Sequence, residues 1–282
     1  MKSLLEILNL STEHLKKHNV DEPRLSSELI ITKVLKIKRL DIYLQFDRVL
    51  KENEIQSIRE LLKRRSAHEP VQYILGETEF FGLKFNVNPN VLIPRQDTEI
   101  LVQTAIDLIG DKELSVLEIG TGSGCIAVSI AHECKKIKIT ASDISEGALI
   151  TAENNAVLNK VSDRITFIKQ DILKEIPQYK YDLIISNPPY ISKVVVSALD
   201  SQVKDYEPFG ALTDNSDGLT FYKRINEIIP HIVKPGGSIL LEIGYDQGES
   251  VRNIFEKYLP EFMIFKDFSG NNRTVLIKNI YN

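Results

Sequence analysis

Residues 116–124 read VLEIGTGSG. An apolar run ends at Gly120, and Gly122 and Gly124 follow at alternate positions before a helical pattern opens near residue 123. Glycine accepts the turn that carries a strand into a helix and lets the backbone approach a ligand closely. Alone, the triplet is a tight turn found in any α/β domain. Downstream the same rhythm repeats. Strand KIKITASD (136–143) precedes a helix at 145–159, and RITFI (164–168) and YDLIISN (181–187) follow. A helix at 218–233, strand SILLEI (238–243), a helix at 246–258, a strand at 262–268 and RTVLIKN (273–279) complete the series. Strands alternating with helices imply a mostly parallel sheet covered on both faces. Only Ser269, Gly270, Asn271 and Asn272 join the last two strands. That is too short for a crossover, so the last strand is expected antiparallel to its neighbour.

Upstream the texture differs. Residues 1–75 contain no glycine and carry short helical stripes: Leu4, Leu5, Leu8 and Leu15, then Leu25, Leu29, Ile30 and Val34, then Ile55, Ile58, Leu61 and Leu62. They read as a small helical bundle with net charge +3, against −7 for the rest. EFFGLKFNVNPNVLI (79–93) reads as a hairpin. The division expected is a helical domain at 1–75, a hairpin linker at 76–97 and an α/β domain at 98–282.

The chain has 282 residues, 43% hydrophobic and 26% charged, with a net charge of −4. That composition excludes a disordered or collagen-like chain and shows no broad basic surface for gripping nucleic acid. Lys63-Arg64-Arg65 is the single basic cluster of note and reads as a solvated helix face. Cys125 and Cys134 lie nine apart in a predicted helix, which is no metal spacing, and read as buried thiols. No metal site is expected. The N-terminus lacks a signal-peptide core, and no run of 18 apolar residues suggests a membrane span. A cytoplasmic monomer is the default.

Two acids sharpen the glycine loop. Glu118 lies inside the strand, and Asp143 ends the next strand, 23 residues after Gly120. An acid at that point can accept hydrogen bonds from both hydroxyls of a ribose, as NAD and S-adenosylmethionine require. The spacing departs from G-x-G-x-x-G, which favours the methyl donor over a dinucleotide. Glu118 is assigned to holding the loop or the amino-acid end of the ligand. Asp171 and Ile172 follow the third strand and offer an adenine ring one acceptor and one apolar lid.

SNPPYI (186–191) is the sharpest feature. Two prolines fix φ and remove two N–H donors. What remains is a rigid loop rich in acceptors. The Asn187 side chain and the Pro188 carbonyl can receive the hydrogens of a planar NH₂, and Tyr190 can stack on its plane. A carboxamide or an exocyclic base amine would satisfy this arrangement. Holding its hydrogens orients the lone pair toward a sulfonium methyl and stabilises developing positive charge. His68, His132 and His231 read as structural.

With these motifs stand HEPVQYILGETEFFGLKFNVNPNVLIPRQDTE (68–99), YEPFGAL (206–212) and DGLTFYKRI (217–225). Together they span nearly the whole chain, which resembles the release-factor glutamine N5-methyltransferase family. The resemblance implies a Rossmann-like, seven-stranded class I methyltransferase sheet, last strand antiparallel, behind a helical domain that engages a release factor. It implies methyl transfer from S-adenosyl-L-methionine, yielding S-adenosyl-L-homocysteine, to the glutamine of a Gly-Gly-Gln loop. Gly120, Thr121, Gly122, Ser123 and Gly124 match the family's cofactor loop, and Asp143 its ribose acid. Ile172 stands where relatives often carry a larger aromatic beside adenine. Asn187, Pro188, Pro189 and Tyr190 match the glutamine-binding loop, with Asn187 also facing the cofactor. Arg95 is assigned to the roof of the substrate pocket, beside Gln96 and Asp97, which depart from the family's usual Pro-Glu. Two related activities remain open on the same motifs: glutamine methylation of a ribosomal protein, and adenine-N6 methylation of nucleic acid. The second calls for a basic recognition region that this chain lacks.

Overall fold

A computed structural model describes residues 2–258 and 261–280. By chain contacts it forms two units: Met1–Glu77 with Asp200–Tyr206, and Thr78–Leu199 with Glu207–Asn282.

In the first unit, α1 (Leu4–Lys17), α2 (Pro23–Leu35), α3 (Arg39–Leu44), α4 (Glu52–Ser66) and α5 (Val71–Leu75) follow one another through short turns. Ser3 starts α1 with a capping box, its hydroxyl receiving the Glu6 N–H while Glu6 receives the Ser3 N–H. The helices enclose a core that includes Leu4, Leu8, Leu15, Ile30, Ile31 and Ile58. The buried face of α2 is rotated from the expected Leu25–Leu29 stripe. Ile30 is buried as expected, but Ser26, Ser27 and Ile31 are buried beside it, while Leu25 and Leu29 are half-buried. Serine fits where helices approach closely, and the Ser26 hydroxyl receives the Arg65 Nε–H at 3.2 Å. The basic cluster is correspondingly not a free face. Arg65 is buried, and Arg64 pairs with Glu69. Three bonds tie the returning segment into this unit: two from the Arg65 guanidinium to the Gln202 side-chain oxygen, each at 3.4 Å, and one from the Tyr206 hydroxyl to the Ala67 carbonyl at 2.6 Å.

The hairpin of β1 (Glu77–Phe80) and β2 (Leu83–Asn86) opens the second unit, all of it past Glu77. Then come α6 (Glu99–Ile109), β3 (Ser115–Ile119), α7 (Cys125–Glu133), β4 (Lys138–Asp143), α8 (Glu146–Leu158), β5 (Ile165–Lys169) and β6 (Tyr181–Ser186). The long connection carries α9 (Lys193–Val196), α10 (Ser201–Lys204) and α11 (Phe209–Leu212). The chain ends with α12 (Thr220–Ile232), β7 (Val233–Glu242), α13 (Gly248–Ile254), β8 (Phe262–Lys266) and β9 (Asn272–Ile280).

The sheet order is β5-β4-β3-β6-β7-β9-β8. All pairings are parallel except those of β9 with β7 and β8, which are antiparallel as expected. This is the seven-stranded class I methyltransferase sheet. Its two faces are buried separately. Leu101, Val102 and Ala105 of α6 pack on one with Ile126 and Ile130 of α7. Tyr222, Ile225 and Ile229 of α12 pack on the other with Val251 and Phe255.

The hairpin differs from the linker expected at 76–97. Phe80 and Phe85 are buried in the same core as α6 and α7. Asn155 of α8 binds both the Asn86 N–H, at 2.7 Å, and the Asn86 carbonyl, at 3.0 Å. The Pro235-Gly236-Gly237 turn also differs. It lies inside β7 as an irregularity, the register passing from Tyr181–Val233 to Leu183–Ser238. Among the described residues no helix is long and apolar enough to cross a membrane.

Candidate active site

After β3 the chain runs outward through β4 and β5, then crosses back to β6 on the other flank of β3. The carboxyl ends of β3 and β6 therefore lie at the switch point of the sheet, where open α/β sheets bind ligands. A cavity of about 470 Å³ opens there, within the range of about 300–1,000 Å³ for small-molecule clefts.

The glycine loop forms its floor. Gly120 N–H and Thr121 N–H both donate to the Ser142 carbonyl at 2.9 Å, fastening the loop to β4. Gly124 has φ +79°, and a Cβ there would stand 3.0 Å from Cβ of Ala152, so only glycine lets the loop lie against α8. Below the loop, Glu118 is buried and receives the Thr121 hydroxyl at 2.6 Å. Burial pushes its carboxyl up to about 8, against the opposing hydrogen bond from Thr121. Glu118 does not line the cavity and acts on the loop from beneath.

Asp143 lines the cavity. One carboxylate oxygen receives the Gly122 N–H and the other the Ser145 N–H, both at 2.9 Å. Burial raises its pKa, opposed by those backbone donors. Each oxygen retains a lone pair for a ligand hydroxyl. Asp171 also lines the cavity, but its oxygens are engaged by Lys174 at 2.8 Å and by the Leu173 N–H at 3.1 Å. The Lys174 hydrogen bond holds it below the usual carboxylate range. Ile172 is buried, lines the cavity and is fixed by Arg224, whose Nε–H donates to its carbonyl at 2.9 Å.

Asn187, Pro188 and Pro189 line the opposite wall. The Asn187 Nδ2–H donates to the Thr98 hydroxyl at 3.3 Å, leaving Oδ1 as a free acceptor. Tyr190 is the exception to the sequence expectation of a stacking ring. It does not line the cavity. Its hydroxyl donates to Glu242 at 3.3 Å and receives Arg273 at 3.4 Å, while Gln247 binds its carbonyl at 3.0 Å. Burial raises its pKa. The ring is drawn into a polar cluster behind the wall because Glu242, buried at the end of β7, needs donors.

Arg95 lines the cavity and pairs with Glu207, whose other oxygen receives the Ile93 N–H at 3.2 Å. Glu207 thus joins residues 93–95 to the Tyr206-Glu207-Pro208 segment. Sequence reasoning assigned no role to Thr98, Glu207, Glu242 or Arg273. Thr98 and Glu207 fall within the quoted segments 68–99 and 206–212, and Glu242 is an acid within the apolar run SILLEI. Cys125 lines the cavity with its thiol pushed up to about 12 by burial. Among the described residues no group of His, Cys, Asp and Glu could hold a metal ion.

Comparison with known proteins gives this geometry its context. Residues 6–76 match the PrmC N-terminal domain, and residues 96–202 match the methyltransferase small domain. A release factor glutamine methyltransferase of Fusobacterium nucleatum is 42% identical over 97% of this chain and 78% of its own length. One from Geobacter sulfurreducens is 37% identical over 90% and 89%. The chain belongs to the release factor glutamine methyltransferase family. A methyltransferase of Pyrococcus furiosus, 20% identical, shares the fold with TM-score 0.53 over 72% of this chain and 90% of that one.

The methyl donor of this methyltransferase is S-adenosylmethionine, and the cavity's chemistry fits it. Arg95 is the single basic residue among those lining the cavity, and Glu207 neutralises it. Asp143, Asp171 and Asp214 line the same space. A diphosphate would meet three acids and no free cation, whereas a sulfonium and an ammonium suit them. Asp143 would hold the ribose, Ile144 and Ile172 would enclose the base, and the loop at 120–123 would carry the amino-acid end.

Proposed function

We propose that this methyltransferase acts on the side-chain amide nitrogen, N5, of the glutamine in the Gly-Gly-Gln motif of peptide chain release factors. Close identity along nearly the full chain carries the reading, and the Asn-Pro-Pro loop at the switch point supports it. Bound S-adenosylmethionine supplies a methyl group activated on sulfonium, and S-adenosylhomocysteine is the leaving product. The protein's task is to present a weak nucleophile, because a carboxamide lone pair is delocalised. Asn187 Oδ1 and the Pro188 carbonyl accept the two amide hydrogens, aim the lone pair and stabilise the charge that develops on nitrogen. The N–H becomes acidic as the new bond forms, so the proton leaves to solvent without a strong resident base. Arg95, held by Glu207, orders the roof of the glutamine slot.

The helical unit supplies the docking surface for the release factor. Leu40, Leu44 and Phe46 are more than half exposed, and Leu40 and Leu44 share one face of α3 at i,i+4 spacing. Labelled methyl transfer into release factors, ribosomal proteins and nucleic acid side by side tests the reading. Label is expected in release factors alone, and absent from a release factor whose motif glutamine is replaced. Label in ribosomal protein or nucleic acid instead overturns it.

A further inference from the structure

Arg273 stands near the start of β9, beside Thr274, the register partner of Glu242 in β7. Its side chain is only 11% exposed. Burying a guanidinium costs stability unless its donors find partners. Here the partners come from four places in the chain. Nε–H and Nη2–H donate to Asp267 Oδ2 at 3.3 and 3.1 Å. Nη2 also stands 3.1 Å from Asp97 Oδ2. Nη1–H donates to the Tyr190 hydroxyl and to the Ile243 carbonyl, each at 3.4 Å. The other oxygen of Asp267 receives the Ser269 and Asn271 N–H groups at 2.9 Å, so the turn before β9 holds the carboxylate that orients the guanidinium.

Neither Arg273 nor Asp97 lines the cavity, yet two arms of this network lead to Asn187. Asp97 precedes Thr98, whose hydroxyl receives the Asn187 Nδ2–H at 3.3 Å. Tyr190 lies three residues after Asn187, across two prolines whose fixed φ makes the intervening chain stiff. The Tyr190 main chain is held separately. Gln247 donates to its carbonyl at 3.0 Å. Gly218, at φ +80°, packs so close that a Cβ there would stand 2.2 Å from the same oxygen. Loss of Arg273 therefore frees the Tyr190 side chain and the Asp97 turn without releasing the loop from its support.

We propose that Arg273 is a positioning residue for methyl transfer, gripping Asp97 and the Tyr190 hydroxyl together and so keeping Asn187 Oδ1 aimed at the reacting amide. Asn187 is held between the two arms. Its amide nitrogen is tied to the Thr98 turn, and its main chain runs into Tyr190. Arg273 fixes the spacing of those two supports. Acceptor groups work by placement, and a misplacement of about 1 Å costs on the order of a hundredfold in rate. The task calls for arginine. A guanidinium presents five donors in one rigid plane and reaches acids and hydroxyl at once, whereas an ammonium is a point charge on a flexible stem. The bonds that hold the cofactor loop run instead to Ser142 and Asp143 of β4, on the other flank of β3. Cofactor affinity is therefore spared.

The proposal rests on the glutamine-methyltransferase reading, and the experiment separates the two. Arg273→Lys keeps a cation beside Asp97 and Asp267 and removes the fork. It is expected to lower kcat for release-factor methylation about tenfold or more, with KM and the Kd for S-adenosylhomocysteine within about twofold of wild type. Tyr190→Phe removes the hydroxyl alone and cuts one arm of the same network. The double variant is expected to fall short of the product of the two single losses by about threefold or more, a coupling that a general loss of stability would not produce. Wild-type kcat in Arg273→Lys, a matching loss of cofactor affinity, or single losses that multiply in full overturns the proposal. Should Arg273→Lys not fold, Asp97→Ala decides from the half-exposed end of the network. A fall in kcat of about threefold or more supports the proposal, and wild-type kcat overturns it. If wild-type protein methylates no release factor, the functional reading fails, and the Asn187 side-chain ¹⁵N–¹H resonances still decide the positioning claim. One sharp pair in wild type, broadened or doubled in Arg273→Lys and Asp97→Ala, supports it. Identical spectra in all three overturn it.

Discussion

Asp143 and Asn187 face the same cavity but do separable work, and single substitutions should separate them. Asn187→Ala removes an acceptor for the substrate amide and leaves the glycine loop intact. It is expected to abolish turnover while Kd for S-adenosylhomocysteine, read by titration calorimetry, changes less than about threefold. Asp143→Ala removes the ribose acceptor and the partner of the Gly122 N–H. It is expected to weaken S-adenosylhomocysteine binding at least about tenfold, the scale of a lost charge-assisted bond. Glu118 makes a prediction about pH. An unfolded glutamate ionises near 4.5, whereas in the fold this one does so at about 8. Between those values the native protein holds a proton that the unfolded chain lacks. Its contribution is complete below 4.5 and lost as pH rises toward 8, over a range worth on the order of a few kcal/mol. Urea unfolding of Glu118→Gln should therefore show a shallower decline from pH 5 to 8 than wild type, and parallel curves would reject the account. Asp143 and Asn187 were legible because each ends a strand beside a motif of fixed chemistry. The roles of Thr98, Glu207 and Glu242 were not, because their partners Asn187, Ile93 and Tyr190 lie 89, 114 and 52 residues away in sequence, and no local pattern encodes such a meeting. The direction of the Tyr190 ring was hidden for the same reason.

Among the elements, local pattern carried far where both faces of a strand are buried. VLEI, ITASD and DLIIS stand out as β-rich runs between polar turns, and β3, β4 and β6 fall within a residue or two of where those runs end. Pattern was weaker where partners decide the face. Serines replace leucines on the buried side of α2 because of what packs there. The Pro235-Gly236-Gly237 segment stays in β7 as a bulge because the sheet continues on both sides of it. The hairpin's place in the core depends on one polar residue that reads as nothing special in sequence. Asn155 is fully buried, and its amide serves Asn86 N–H, Asn86 carbonyl and the Ser123 carbonyl at 2.7 to 3.0 Å. Asn155→Ala strips partners from three backbone groups at once, two on Asn86 that are part-buried and the Ser123 carbonyl, which is buried. A loss of about 2–4 kcal/mol in chemical denaturation is expected, together with weaker S-adenosylhomocysteine binding, since Ser123 belongs to the cofactor loop. Loss of stability without loss of binding would show that the loop holds itself.

At the scale of the whole molecule, the charge asymmetry and the two compact units suggest a division of labour. The α/β unit holds every residue assigned to cofactor and amide, and the helical unit holds none of them. A protein substrate larger than its reacting loop needs area beyond that cavity. A few hundred Å² of exposed apolar surface is the usual mark of where such area is found. The helical unit offers it at Leu40, Leu44 and Phe46, of which Leu44 is 69% exposed. Because Leu44 packs against little, Leu44→Glu should leave folding and S-adenosylhomocysteine affinity unchanged. It should raise KM for an intact release factor several-fold with little change in kcat, and a short peptide carrying the Gly-Gly-Gln loop should be methylated equally by variant and wild type. The peptide is the informative arm. If its KM rises in parallel with that of the intact protein, the helical unit acts on the loop itself, and docking and chemistry are not separable in the way the two units imply.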